Sequence, residues 1–319
     1  MRILLTGSIA YDYLMTFPGY FKDNLLPEKL ASVSLSFLVD SMTRVRGGIA
    51  PNIAYTLALL GGEPAVMATV GEDFDSEYRP WLESHGVDTS SIKVIPGVYT
   101  ASFFATTDRA NAQIASFYPG AMGHADSQSL ADLPERPDLV VVSPNSPEAM
   151  RKFAREAKAM GVRYVYDPSQ QLARVSAEEV CEGVDCAWLL IVNDYEYGLI
   201  ERLTGWNEAE VLRHVGILVI TRGADGSSLY ANGQRIDVPV VPPERILDPT
   251  GVGDAFRGGL LRGIKAGWPW KLCGQVGALA ATYCLEQRGP QSHTYTPAEF
   301  VARFRKHFDD EGRLNELLG

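Results

Sequence analysis

Little in this chain points to a membrane, an oxidising compartment or a polynucleotide. No apolar run approaches the roughly 18–20 residues that cross a bilayer. The opening Met1-Arg-Ile-Leu-Leu-Thr-Gly7 is too short in apolar residues for a signal peptide and reads as a first buried strand. Cysteine is scarce: Cys181, Cys186, Cys273 and Cys284 form no Cys-x-x-Cys pair and no metal-ligand spacing, and there is no Asn-x-Ser/Thr site. Reduced, buried thiols in a cytoplasmic protein are expected. Basic residues are outnumbered, 29 Lys and Arg against 39 Asp and Glu, for a net charge of −10. Without a basic run, a long nucleic-acid surface is excluded. A single nucleotide, held by backbone amides and a metal ion, is not.

What remains is an ordinary soluble composition, 46% hydrophobic and 21% charged over 319 residues. The chain can bury a core without disulfides and reads as one domain over 1–319. Its second half alternates: apolar runs at Asp138–Val142, Val162–Tyr166, Trp188–Val192 and Ile217–Thr221 are separated by helical spacing, as at Pro147–Met160 and from Asp194. That pattern predicts parallel strands in a layered α/β core. The first half differs. Ser34–Val39, Thr100–Thr107 and Ala112–Phe117 are rich in β-branched and aromatic residues, and Asp108–Asn111 suits a hairpin turn. They predict a small separate sheet, drawn from about 9–45 and 98–120, placed as a lid over a cleft. Two helices close the pattern: Gly253–Ala266, stopping at Gly267, and the almost wholly apolar Trp270–Glu286.

The most informative stretch is Asp248-Pro-Thr-Gly-Val-Gly-Asp254-Ala-Phe-Arg-Gly-Gly259. Two glycines ahead of a helix can bare their amides, and the helix start adds unpaired donors. Gly251, Val252, Gly253 and the Asp254 amide could thus hold a phosphoryl group, with Asp254 placed to accept a proton from an attacking hydroxyl. The plainer alternative is a turn whose aspartate complements the helix dipole. Phe256 stands where a dinucleotide fingerprint needs its third glycine, and there is no Gly-Lys-Ser/Thr phosphate loop. A second stretch, Arg46-Gly-Gly-Ile-Ala-Pro-Asn52, opens a helix over Asn52–Leu60. Gly47 and Gly48 permit close approach of a ligand. Asn52 offers donor and acceptor to a diol, or serves as a cap.

Together these stretches resemble the two signatures of the ribokinase-like (phosphofructokinase-B) sugar and nucleoside kinases. Asn193-Asp-Tyr-Glu196 resembles that family's Asn-x-x-Glu element, and Thr221-Arg-Gly-Ala-Asp-Gly226 its nucleotide-binding turn. The four stand in the family's order and cover essentially the whole chain. Val252 departs from the small residue usual at its place. A narrower resemblance, to the bacterial (mycobacterial-type) adenosine kinase branch, is carried by Thr6-Gly-Ser-Ile-Ala-Tyr-Asp12, Leu35-Ser-Phe-Leu-Val-Asp40, Ala115-Ser-Phe-Tyr-Pro-Gly-Ala-Met122 and Asp167-Pro-Ser-Gln-Gln-Leu-Ala-Arg174.

The resemblance implies a three-layer α/β/α domain with a mostly parallel central sheet and a β-sheet lid, transferring phosphate from ATP to the 5′-hydroxyl of adenosine. It implies that Asp12, Gly48 and Asn52 bind the ribose diol, with Ser8 and Ser36 nearby. Phe103 and Phe117 would sandwich the base, and Gln170 or Gln171 would pair with its edge. Asn193 and Glu196 would hold water around Mg2+, and Thr221, Gly223 and Gly226 would line ATP. Asp248 and Thr250, beside Gly289, Pro290 and Ser292, would serve a K+ site. Each has a plain alternative: a turn cap at Asp12, core packing at the phenylalanines, a solvated loop at the glutamines, a capping box at Asn193 and Glu196. Other Lys and Arg residues are expected on the surface. A homodimer through the lid is expected. The rival functions are another sugar kinase of the family, such as a ribokinase or fructokinase, and a nucleoside-binding protein without catalysis.

Overall fold

A computed structural model of the chain describes residues 1–25, 32 and 34–319. Its strands are β1 (Ile3–Thr6), β2 (Ala10–Thr16), β3 (Ser41–Gly47), β4 (Ala65–Val70), β5 (Asp88–Val94), β6 (Ala101–Thr107), β7 (Gln113–Tyr118), β8 (Leu139–Val142), β9 (Arg163–Tyr166), β10 (Leu189–Asn193), β11 (Ile217–Thr221), β12 (Ser227–Ala231) and β13 (Gln234–Val238). The helices are α1 (Ile49–Leu59), α2 (Tyr78–Ser84), α3 (Pro147–Ala159), α4 (Ala177–Val184), α5 (Asp194–Thr204), α6 (Glu208–His214), α7 (Val252–Ala266), α8 (Trp270–Leu285) and α9 (Pro297–Phe304).

Nine strands form one sheet in the order β13-β12-β11-β10-β9-β8-β1-β4-β5, parallel from β11 through β5 and antiparallel only at β12 and β13. The inner strands β1, β4 and β8 are buried at every residue, as parallel strands covered on both faces must be. Alternate side chains feed two cores. Ile3, Leu5 and Val141 join residues of α1, α7, α8 and α9, whereas Leu4, Val140 and Val142 join α3, α4, α5 and α6. The result is a three-layer α/β/α sandwich. The carboxyl ends of β1, β8, β9, β10 and β11 open on one edge, where such sheets place ligands.

The remaining strands form a separate four-stranded sheet, ordered β3-β2-β6-β7. Its outer strand β7 is exposed at all six residues. Asp108 builds the β6–β7 turn by accepting from the Phe21, Ala110 and Ala112 amides at 2.8–2.9 Å.

Two expectations are corrected. Ser34–Val39 is irregular, and Leu38 is 86% exposed. Phe37 turns inward, edge-on to Phe17 and Phe21. Both edges of β2 are taken along their whole length, by Ser41–Gly47 on one side and β6 on the other, so Ser34–Val39 finds no ladder there. The second concerns the thiols. All four are free, yet only Cys273 and Cys284 are buried; Cys181 is half-buried and Cys186 exposed, on the loop between α4 and β10. Among the described residues no helix is long and apolar enough to cross a membrane.

Candidate active site

The site begins at the start of α7. Gly251 caps the helix in the left-handed region, φ 78°. A Cβ there would meet Pro290 Cβ at 2.3 Å, so only glycine fits. The Val252 amide turns back on the Pro249 carbonyl at 3.3 Å. The Gly251, Gly253 and Asp254 amides find no backbone acceptor among the described residues. Those open donors, with the helix dipole behind them, make a cradle that can receive an anion.

Asp254 stands half-buried beside it. Asn52 Nδ2 donates to Asp254 Oδ2 at 2.8 Å. Asn52 is not a cap, because α1 starts earlier than expected and Gly48, φ 94°, takes the cap position. Its amide is fixed from behind: Gln291 Nε2 donates to Asn52 Oδ1 at 2.9 Å and lies 2.5 Å from the Tyr78 hydroxyl, which donates to the Gly47 carbonyl at 2.8 Å. Trp81 Nε1 holds Gln291 Oε1 at 3.1 Å. One chain of hydrogen bonds thus runs from the Asp254 carboxylate to the glycine pair. Burial pushes the Asp254 carboxyl up to about 7, with the Arg257 charge and the Asn52 bond pulling it down and the Asp167 and Glu196 charges pushing it up. A carboxyl in that range is a competent base near neutral pH.

Arg257 corrects another expectation, for it is only 7% exposed. Its Nη2 donates to Asp167 Oδ1 at 2.6 Å, and Ser143 Oγ donates to Asp167 Oδ2 at 3.2 Å. Arg262 is buried too, donating to the Leu60 carbonyl. Arg257 sits three residues after Asp254, hence on the same helix face. That spacing was the available signal. Gln291 and Tyr78 had none, since they meet Asn52 only through the tertiary fold.

Asp12 lies on β2 against the glycine pair. A Cβ on Gly47 would come within 2.6 Å of Asp12 Oδ2, and one on Gly48 within 2.5 Å of the Ser8 carbonyl. Burial, then the Asp248 charge, pushes the Asp12 carboxyl up to about 6. Strand register aligns Val45, Asp12, Phe103 and Phe117 across all four strands of the small sheet, so their side chains share one face. Phe117 is 39% exposed and Phe103 half-buried.

The other candidates fall as follows. Ser8 is buried, its amide on the Pro144 carbonyl at 2.8 Å. Ser36 is exposed on the irregular segment. Gln171 is 7% exposed; Nε2 donates to the Asn145 carbonyl at 2.8 Å, and Oε1 has no partner among the described residues. Gln170 faces solvent. Asn193 and Glu196 form a reciprocal capping box on α5, each bond 2.8 Å. Thr221 ends β11, and Gly223 and Gly226, φ 53° and 81°, shape the turn to β12. Asp248 clasps two loops, accepting from the Thr250 and Gly289 amides at 2.9 Å each. Ser292 is exposed.

An open amide cradle and a raised carboxyl at the carboxyl edge of a parallel sheet, faced by a second small sheet, define a phosphotransferase that acts on a hydroxyl group. The chain belongs to the pfkB family of carbohydrate kinases, which matches residues 8–297. It is an ATP-dependent kinase with a hydroxyl acceptor. It is 28% identical over 308 residues to the nucleoside kinase of Methanocaldococcus jannaschii, covering 96% of this chain and 97% of that one. It is 30% identical to the nucleoside kinase of Methanothermobacter thermautotrophicus, covering 95% of each. The Burkholderia thailandensis nucleoside kinase, solved in complex with inosine, superposes with a TM-score of 0.85 at 37% identity, covering 96% of this chain and 98% of that one.

Proposed function

We propose that this kinase acts on nucleosides and transfers the γ-phosphate of ATP to the 5′-hydroxyl of adenosine, giving AMP and ADP. The observation that carries the nucleoside reading is the aligned row Asp12–Phe103–Phe117. A carboxylate that accepts from a ribose diol stands beside two rings on which a flat base can stack. A free pentose or hexose would use the carboxylate and leave the rings uncovered.

The residues fit a magnesium–nucleotide donor. The open amides at Gly251, Gly253 and Asp254 can take phosphate oxygens. Among the described residues no three His, Cys, Asp or Glu side chains converge on one point, so magnesium would rest on phosphates and water, with Asn193 and Glu196 as outer partners. When bound it neutralises charge on the phosphate oxygens. Thr221, Gly223 and Gly226 would line the nucleotide, and Asp248 and Thr250 would lend oxygens to a potassium ion.

In this reading Asp254 accepts the 5′-hydroxyl proton as the oxygen attacks the γ-phosphorus in line. The bond to the ADP oxygen breaks, and the cradle amides take up the developing charge. The small sheet acts as a lid that excludes water over 1–319 working as one kinase domain. Its outer face, with Met42, Phe104 and Ile114 exposed, suits a homodimer.

A coupled ADP-release assay across adenosine, inosine, cytidine, ribose and fructose, with and without potassium, tests this. Adenosine should exceed ribose and fructose by orders of magnitude in kcat/KM. Equal or better turnover of a free sugar would overturn the nucleoside reading. No ADP release with any acceptor would leave a nucleoside-binding protein without catalysis. Turnover of inosine alongside adenosine would extend the reading to purine nucleosides generally, a breadth favoured by the inosine complex of the Burkholderia kinase.

A further inference from the structure

Beneath the cradle lies a charge cluster that the phosphoryl-transfer scheme does not use. Arg257 runs its stem under the sheet, lining a small apolar cavity with Val141, Val165, Leu189 and Ile191. Its guanidinium lies buried between α7 and the end of β9. Nη2 is committed to Asp167 Oδ1 at 2.6 Å, Nε has no partner among the described residues, and Nη1 lies 2.9 Å from where a Gly253 Cβ would stand. A buried ion pair of this kind gains little stability over apolar replacements. Its presence beside a reactive carboxylate therefore invites another reason.

We propose that the Arg257–Asp167 pair is a positioning device for Asp254, in which Asp167 anchors the guanidinium so that Arg257 supplies, among the described residues, the positive side chain that faces the base. The inference rests on Asp254 being the base. The groups facing that carboxylate are the neutral Asn52 amide from α1, Asp167 at the end of β9, Glu196 from α5, the Cys284 thiol from α8 and Arg257 from its own helix. Two anions raise its proton affinity and one cation lowers it. Burial itself raises it most, and raises the Cys284 thiol to about 12, so that group stays protonated and neutral. Gly253 belongs to the same arrangement, because any side chain there would press on Nη1 and move the charge.

The two halves of the pair should consequently act in opposite directions, whereas a pair whose charges do not reach Asp254 would leave both limbs in place. The test is the pH profile of kcat/KM for whichever of adenosine and inosine is turned over better, measured on the full chain. Arg257→Met should move the acid limb up by about one pH unit, the scale of a close opposite charge. Asp167→Asn keeps an acceptor for Nη2 and should move the limb down. Arg257→Lys keeps the charge and should hold the limb near wild type at lower kcat. Because Arg257→Met strands a buried carboxylate, Arg257→Met/Asp167→Asn provides the folded comparison, and its limb should lie above that of Asp167→Asn alone. Limbs that stay in place, or that move the same way in both single variants, overturn the proposal. Asp254→Asn separates the two claims. If it keeps turnover, the base assignment has failed. If it abolishes turnover while the limbs stay fixed, only the Arg257 inference has failed.

Discussion

The carboxyl edge of the large sheet and the small sheet that faces it are built by opposite rules. At the large sheet, backbone is pinned at close range: Gly251 against Pro290, Gly259 against Gly277 where α7 crosses α8, and Asp254 held through Asn52, Gln291 and Tyr78. In the small sheet, β7 is exposed throughout and Phe117 offers a partly uncovered ring. Chemistry needs groups fixed to within a fraction of an ångström before substrate arrives. Recognition of a flat base needs surface that the ligand itself will cover. The two regions should therefore fail differently when altered, one in turnover and the other in substrate affinity.

The sharpest break comes from Asp254→Asn. Loss of a general base costs about 10²–10⁴-fold, so kcat should fall by about a thousandfold while adenosine still binds, read by titration calorimetry alongside steady-state rates. The same variant should be more stable. A carboxyl raised from 3.8 to about 7 on folding makes the folded state hold the extra proton between those values, and stability falls as pH rises through that window. The Tm advantage of the asparagine variant should be absent below pH 4, grow toward pH 7 and level off above it. A variant less stable at pH 8 would show that the site's strain lies elsewhere. Next in size is Gly251→Ala. It combines a positive φ with a 2.3 Å clash against Pro290, so the cradle must shift. A displacement of that order costs about a hundredfold in kcat, with the nucleoside KM nearly unchanged. A comparable rise in KM would blur the line drawn between the two regions.

Which of these features sequence could reveal follows from how local each one is. The α7 signature, the Asn193–Glu196 box and the β6–β7 hairpin are short-range, and their residues sit within a few positions of one another. The alternation of apolar runs with helical spacing gave away the parallel core for the same reason. Ser34–Val39 misled because strand propensity describes a residue's fit to a pleated surface and says nothing of whether a partner edge is free. Arg257 misled because arginine is usually solvated, and its partner Asp167 lies far away in sequence, just past the end of β9. Gln291 reaches Asn52 across most of the chain. Links of that kind exist only once the sheet order is fixed.

The smallest effect tests the recognition side. Phe117 lies on an exposed edge strand, opposite Phe103 and in line with Asp12. Phe117→Ala removes little from either core, so Tm should hold within a degree or two. If the ring stacks on the base, its loss should raise the adenosine KM by about tenfold, the lower part of the range for base–aromatic stacking. The kcat should stay within about twofold, because a stacking ring contributes equally to bound substrate and transition state. Any residual activity on free ribose should be untouched, since ribose has no base to lose. A fall in kcat at constant KM would instead place Phe117 in closing the small sheet over the reaction, and would join the two regions into a single catalytic unit.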